Sequence, residues 1–412
     1  MKKNRLFYII LAGLFMLSEA CSDEVKAYLE DIPDAGQYAS LYMPQAYYLP
    51  SSQTVYVKEG VQSYLVAAYL GGPQAAGSDI HITFQVDEKL VEEFNARQGT
   101  DYQLLPRECW EFPQQETCIP AGNQQSLPVY IHINAIGYVS VPDSYLLPVT
   151  IQETDSEIPV LKNYETTYFL FTGSYLPGQV PSVKVYSFGQ AVSKPVFCRD
   201  KDLIRIDEND NLQLYQSDEN GIFQEPRQIG QGWNDVNIMF YMPDNRFIIR
   251  NPAQNLAQYV IDEQYNFLGQ REIGWGWGGA AQIVPFKNLA FLAVNGDALT
   301  KYPINQNGDF DFANCSDIES QGWGAYKQIL CYGNSILALE AGGNLWEIPL
   351  SDDYTVGARR QVGSGWEFEK IICCGTDLLA LDANGDLWRY EFDPRAFWPL
   401  KAEEGDTETE TE

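Results

Sequence analysis

The feature that most constrains this chain is a fivefold repeat in its second half. The segments DLIRIDENDNLQLY, RFIIRNPAQNLAQY, LAFLAVNGDALTKY, SILALEAGGNLWEI and DLLALDANGDLWRY each read as an apolar strand, a turn of Asn, Asp, Gly or Pro, and a second strand. The matching leucines, Leu212, Leu256, Leu299, Leu345 and Leu387, recur at intervals of 44, 43, 46 and 42 residues. A unit of that length accommodates a four-stranded sheet that cannot bury both faces alone, so the copies must pack on one another. The expectation is a radial, five-bladed β-propeller over residues 184–400.

About twenty-two residues ahead of each leucine sits the tryptophan of a Gly-Trp pair: Trp233, Trp277, Trp323 and Trp366. The first copy offers YSFGQAV, with Phe188, in its place. An atypical first copy marks where a ring closes, and closure is expected to borrow a strand from the N-terminal side of the domain. The closing YEFDPRAFWPL reads as an outer strand. One copy carries an extra aromatic, Trp275, in IGWGWGG at residues 273–279.

QGWGAYKQILCYGNSILALEAGGNLWEI and GSGWEFEKIICCGTDLLALDANGDLWRY are the copies that most resemble the five-bladed tachylectin-2 lectins. That resemblance implies binding of N-acetylated amino sugars, such as N-acetylglucosamine, in shallow sites between adjacent blades. Stacking on an aromatic ring covers an apolar sugar face, while amides and carboxylates meet hydroxyl and acetamido groups. The site residues expected are Trp233, Trp275, Trp277, Trp323 and Trp366, with Asn234, Asp235 and Glu367 as polar neighbours. A tryptophan recurring once per blade also serves as a wedge between blades, its glycines permitting close backbone approach. Trp275, outside the repeat register, is less explained by packing.

Ahead of the repeat, residues 41–172 alternate short strands with turns, as in DIHITFQVD, where Ile80, Ile82, Phe84 and Val86 share one face. One helix is expected in DEKLVEEFNARQG, with Asp87 as N-cap and Gly99 as its stop. The sum predicts an immunoglobulin-like β-sandwich, so the whole chain is all-β, a sandwich followed by a propeller. LYMPQA, DIHITFQVDEKLVEEFNARQGTDYQLLP and YLLPVTIQ resemble the N-terminal Ig-like domain of outer-membrane lipoproteins encoded with SusC/SusD-type glycan importers. The resemblance implies a spacer or platform and an importer partner. Residues 173–183, GSYLPGQVPSV, have the composition of a linker.

The N-terminus carries processing information. Lys2, Lys3 and Arg5 precede an apolar run over residues 6–17, and LSEAC ends in a small residue and Cys21. Residues 1–20 resemble a bacterial lipoprotein signal peptide, with Cys21 as the acylated anchor and residues 21–40 as a tether. The SDEVK that follows resembles a surface-export signal, implying a lipid-anchored position on the outer face of the outer membrane. Without residues 1–20 the net charge moves from −29 to −31. Such a chain repels phosphate backbones and anionic head groups, which argues against nucleic acid and against membrane contact beyond the anchor. Residues 401–412 form an acidic tail that reads as disordered, and a monomer is expected.

Cys109 and Cys118 flank WEFPQQET and could close a small disulfide loop, whereas Cys198, Cys315, Cys331, Cys373 and Cys374 read as small buried hydrophobes. The only histidines, His81 and His132, read as solvent-side strand residues. DENDN and DANGD have calcium-loop character but fall where hairpin turns are needed, so no metal or cofactor is expected. No acid recurs at an inner-strand position, which disfavours a glycosidase over a lectin or a protein-binding scaffold.

Overall fold

A computed structural model describes residues 38–242, 245–305 and 307–401. The signal peptide, Cys21 and most of the tether and acidic tail lie outside the described residues. The chain divides into two compact units, Met1–Ser174 and Tyr175–Glu412. Both are built of β-sheets, and among the described residues no helix is long and apolar enough to cross a membrane.

In the first unit a six-stranded sheet and a three-stranded sheet enclose one apolar core. The larger sheet orders Ser51–Tyr56, Thr166–Ser174, Ser144–Thr154, Ile80–Val86 and Glu116–Ile119, with Gln103–Leu104 added on Ser144–Thr154. The smaller orders Gln62–Val66, Val129–Ile133 and Trp110–Glu111. Phe84, Phe169 and Phe171 from one meet Val66, Ile131 and Trp110 from the other. In Ile80–Val86 the alternation holds for Ile80, Ile82 and Phe84, which are buried, against an exposed His81. His132 lies on the smaller sheet, its Nδ1 2.8 Å from Ser63 Oγ. The helix runs Leu90–Gln98, burying Val91 and Phe94. Asp87 is not the N-cap: Lys89 holds that position without a side-chain cap bond, because a turn in which Leu90 N donates to Asp87 O at 3.2 Å precedes the helix, and Asp87 Oδ1 accepts from Lys89 N at 3.2 Å. Gly99 at φ 69° ends the helix in the left-handed conformation that glycine adopts without Cβ strain. Thr166–Ser174 carries pairing through Gly173 and Ser174, into the stretch read as linker.

The proposed Cys109–Cys118 disulfide is corrected: both are free thiols. Cys109 is buried in the core, whereas in Glu116–Ile119 the buried positions are Thr117 and Ile119. Alternation therefore points Cys118 to the opposite face of its sheet, away from Cys109.

Among its described residues the second unit contains five sheets. The first is Val196–Arg199, Asp202–Ile206, Leu212–Tyr215 and Arg227–Gly230; the second Ile238–Met242, Arg246–Arg250, Leu256–Ile261 and Phe267–Gly274. The third is Ala280–Phe286, Ala290–Asn295, Ala298–Pro303 and Ser316–Glu319; the fourth Tyr326–Tyr332, Ser335–Glu340, Leu345–Pro349 and Arg360–Ser364. The fifth has Lys370–Cys374, Asp377–Leu381 and Asp386–Tyr390 from the end of the chain, completed by Val183–Ser187 from before the first sheet. A strand is thus borrowed from the N-terminal side, as the atypical first copy implied. Trp398–Pro399 does not form the outer strand of the last sheet; it pairs in parallel with Arg360–Ser364 of the fourth, because Val183–Ser187 already occupies that edge.

The leading strands touch in cyclic order, first to second and on to the fifth, which returns to the first. They enclose a cavity of about 640 Å³. All five repeat leucines are fully buried at the start of the third strand of their sheet. Apolar clusters alternate with the sheets, each drawing on two neighbours, as Ile204 and Leu214 do with Phe247 and Ile249.

Candidate functional site

The Gly-Trp loops join the outer strand of one sheet to the leading strand of the next, and one local design recurs. A β-bulge interrupts each outer strand just before its loop, between Leu212 and Gln213, Leu256 and Ala257, Leu299 and Thr300, and Leu345 and Trp346 on the partner strand. Bulges re-aim the residues that follow. Gly232, Gly276, Gly322 and Gly365 then take φ of 78°, 75°, 91° and 71°, a turn that only glycine makes without strain. Each tryptophan N–H donates to the turn between the second and third strands: Trp233 to Asp210 O at 2.9 Å, Trp277 to Gln254 O at 2.8 Å, Trp323 to Asp297 O at 3.1 Å, Trp366 to Gly343 O at 2.9 Å. Backbone N–H groups from Gly322 and Gly324 hold the Asp297 carboxyl below the usual carboxylate range.

The four repeat tryptophans are all buried, and they act as wedges. Trp233 packs on Phe247, Tyr259 and Phe267 of the following sheet, and Trp277 on Tyr302 and Phe310. Trp366 packs on Tyr390 and Phe392. The indole N–H of Trp323 donates to Glu319 Oε2 at 2.8 Å and that of Trp366 to Trp398 O at 3.0 Å. For Trp233, Trp277 and Trp366 the glycine three positions earlier is what lets the indole fold back, whereas Trp323 has Ser320 there. A Cβ on Gly230, Gly274 or Gly363 would lie 2.6, 2.4 or 2.3 Å from the corresponding Nε1.

Trp275 differs. It is 70 % exposed, and its Nε1–H donates to Glu272 Oε2 at 3.1 Å. Glu272 Oε1 in turn accepts from Asn251 Nδ2 at 3.3 Å, and Gly276 N donates to Asn255 Oδ1 at 3.4 Å. The polar edge of the ring is satisfied by protein while its faces stand open. Exposed aromatic rings so tethered are suited to stack on an apolar ligand face.

On the same side of the unit, a cleft of about 490 Å³ opens between the first and second sheets, lined by Lys194, Asp210, Trp233, Asp235, Pro252 and Gln254 among others. Lys194 Nζ donates to Asp207 O and to Asp210 Oδ1, both at 2.7 Å. Asp235 is exposed at φ 55° and faces this cleft, while Asn234, also exposed, stands in the loop and is not among the lining residues. The turn 251–255 adjoins both features: Pro252 and Gln254 line the cleft, and Asn251 and Asn255 brace the Trp275 loop. At the other loops the expected partners are engaged. Glu367 is ion-paired with Lys401, and the Arg359 guanidinium lies 5.4 Å from the Trp323 ring centroid while pairing with Glu319 at 2.5 Å.

Sequence reasoning missed Lys194, Asp210, Gln254 and Glu272. The available signal was that the turns between second and third strands share a side with the Gly-Trp loops. The first carboxylates of DENDN and DANGD, Asp207 and Asp382, are spent on their turns. Asp207 Oδ1 accepts from Asn209 N at 2.9 Å and Asn211 N at 2.8 Å, and Asp382 Oδ1 from Asn384 N and Asp386 N, both at 2.9 Å.

A family model described as "-like, N-terminal domain" matches residues 36–158. No curated protein matches the chain. Among solved structures, the chain is similar to a "putative carbohydrate binding protein" from Bacteroides ovatus at 13 % identity and TM-score 0.34, covering 85 % of this chain and 95 % of that one. It is also similar to EndoBT-3987 of Bacteroides thetaiotamicron, solved with a Man5GlcNAc product, at 16 % identity and TM-score 0.26, covering 38 % and 39 %. A Bacteroides ovatus protein of unknown function overlaps at 12 % identity and TM-score 0.28, covering 87 % and 91 %. At TM-scores this low the overlaps carry no weight for fold or function.

Proposed function

We propose that this chain is a surface lipoprotein that captures glycans containing N-acetylated amino sugars, without cleaving them, for a SusC/SusD-type uptake system. In this reading Cys21 carries the lipid anchor at the outer membrane, the first unit is an Ig-like spacer, and the five sheets form a tachylectin-like five-bladed propeller. The observation that carries it is Trp275, a ring 70 % exposed whose N–H is already bound by Glu272. Beside it, the cleft offers Asp235, Gln254 and Lys194 as hydrogen-bonding partners for hydroxyl and acetamido groups. Binding without cleavage is supported by the central cavity, whose lining among the described residues includes one carboxylate, Glu369, where glycoside hydrolysis uses a pair.

Affinity electrophoresis of the full chain through gels containing N-acetylglucosamine polymers tests the proposal. Retardation that disappears in Trp275→Ala supports it. Unretarded migration through every such polymer overturns it, and release of shorter sugars from the polymer makes the protein an enzyme instead.

A further inference from the structure

The register of the five sheets makes Cys198, Tyr241, Pro285, Cys331 and Cys373 equivalent. Each lies opposite the same second-strand position, occupied by Leu203, Phe247, Phe291, Ile336 and Leu378. The residue that follows each of them, Arg199, Met242, Phe286, Tyr332 or Cys374, takes the opposite face of its strand and turns toward the next sheet. The Arg199 guanidinium accordingly lies 5.4 Å from the Tyr241 ring centroid, and Phe286 shares an apolar cluster with Cys331. At the seam where the fifth sheet meets the first, the two facing positions are Cys374 and Cys198. Both are free thiols that pack on the cluster of Leu203, Tyr215, Leu379 and Leu387. The Cys374 Sγ–H donates to Asp200 O at 3.5 Å, two residues beyond Cys198.

The other cysteines do not meet in this way. Cys331 packs toward the third sheet, away from the fifth, and Cys373 Sγ–H donates to the Cys331 carbonyl at 3.3 Å rather than to its thiol.

We propose that Cys198 and Cys374 are a disulfide-forming pair that staples the first sheet to the fifth. The reaction consumes an acceptor disulfide. One protein thiolate attacks it, releasing one small thiol and forming a mixed disulfide; the second protein thiolate then displaces the other small thiol and closes the Cys198–Cys374 bond. Two protons leave the protein thiols and two small-molecule thiols are formed. Burial and the neighbouring Cys374 hold the Cys198 thiol well above its ordinary range, so closure is favoured at alkaline pH. The seam is where such a bond has most effect. The fifth sheet is held to the first by the segment after Val183–Ser187, by apolar contacts and by hydrogen bonds such as Arg389 Nη1 to Asn220 O at 2.8 Å and Lys370 Nζ to Lys194 O at 2.7 Å. The bond would close a loop that contains the second, third and fourth sheets whole.

The pairing stands on the ring geometry and is independent of the glycan reading and of export. The full chain, purified reduced, is equilibrated in glutathione buffers from reducing to oxidising, then alkylated and mapped by mass spectrometry. The expected result is loss of two alkylatable thiols, a linked peptide pair containing Cys198 and Cys374, and an unfolding temperature several degrees higher in the oxidised form. Cys374→Ser should abolish both the link and the temperature shift while still folding when reduced. Full alkylation at the most oxidising ratio overturns the proposal, as does a link between Cys331 and Cys373.

Discussion

The indole N–H of Trp275 donates to Glu272 Oε2 at 3.1 Å, as that of Trp323 does to Glu319 Oε2 at 2.8 Å, yet Trp275 stands apart from Trp233, Trp277, Trp323 and Trp366 in its exposure. Those four bury their rings between sheets, whereas Trp275 keeps 70 % of its surface open. Replacement by Ala therefore removes a stacking surface and little packing. Binding to N-acetylglucosamine polymers should fall roughly tenfold, with the unfolding midpoint unchanged within error. Isothermal titration and a thermal melt on the same sample check both halves. A melt that drops by many degrees would make Trp275 a structural residue.

Glu272 acts on the ligand only through the ring it holds. Glu272→Ala should free the indole to sample rotamers and weaken binding by about two- to tenfold, the cost of ordering one side chain. The indole's fluorescence anisotropy should fall in parallel in a background where Trp275 is the reporter. Unchanged affinity would mean the ring is positioned by its glycine neighbours alone.

The repeat itself was legible in the sequence because strand, turn and leucine recur at nearly fixed spacing, and residues such as Leu212 and Leu387 can serve no other purpose than burial. The borrowed strand at Val183–Ser187 was foreseeable from the missing first tryptophan, since a ring whose first copy is incomplete needs a partner. The division of labour among tryptophans was legible only in part: Trp275 stands outside the repeat register, but nothing in the sequence shows that the four in register fold inward. Gly-Trp reads the same whether the indole faces solvent or folds back on the glycine three residues earlier, and that choice depends on a bulge set by the partner strand. Cys109 and Cys118 misled for a related reason: closeness in sequence says nothing about which face of a sheet each thiol takes.

Packing at the loops predicts a sharp contrast among glycines. A Cβ on Gly363 would sit 2.3 Å from Trp366 Nε1, with Trp366 fully enclosed and Trp398 O at 3.1 Å, so Gly363→Ala must displace the wedge. The expected loss is about 1–3 kcal/mol by chemical denaturation. Gly342→Ala, where no atom lies within 4 Å and φ is ordinary, should change stability by no more than about 0.5 kcal/mol. Equal effects at the two positions would remove the wedge argument.

Val185 is buried in the borrowed strand, against Leu203, Leu379 and Leu387. Val185→Asp would place a carboxylate without a partner at the seam, at a cost of about 3 kcal/mol or more. Because the strand closes the ring, the expected outcome is early loss of the fifth sheet. Hydrogen exchange should show Asp377–Leu381 losing protection before Arg246–Arg250 does. Simultaneous loss everywhere would indicate that the ring opens only as a whole.

Lys370 supplies the last test. It lines the central cavity, its Nζ donating to Lys194 O at 2.7 Å and Ser193 O at 3.4 Å, with Glu369 adjacent in sequence and Lys327 also at the lining. Burial lowers its pKa to about 8, with Glu369 opposing the shift, against 10.5 when free. A base whose pKa is lowered by folding binds its proton more weakly in the folded state. Below pH 8 both states are protonated and the desolvation cost is fully present; between pH 8 and 10.5 the unfolded state binds more protons, so the cost fades as pH rises. Lys370→Met removes this dependence. The difference in unfolding free energy, wild type minus variant, should therefore rise by up to about 3 kcal/mol from pH 7.5 to 10.5. Taking the difference cancels the tyrosines and cysteines that titrate in the same range in both proteins. Denaturant titrations across that window measure it, and a flat difference would mean that Lys370 keeps its charge solvated in the folded state.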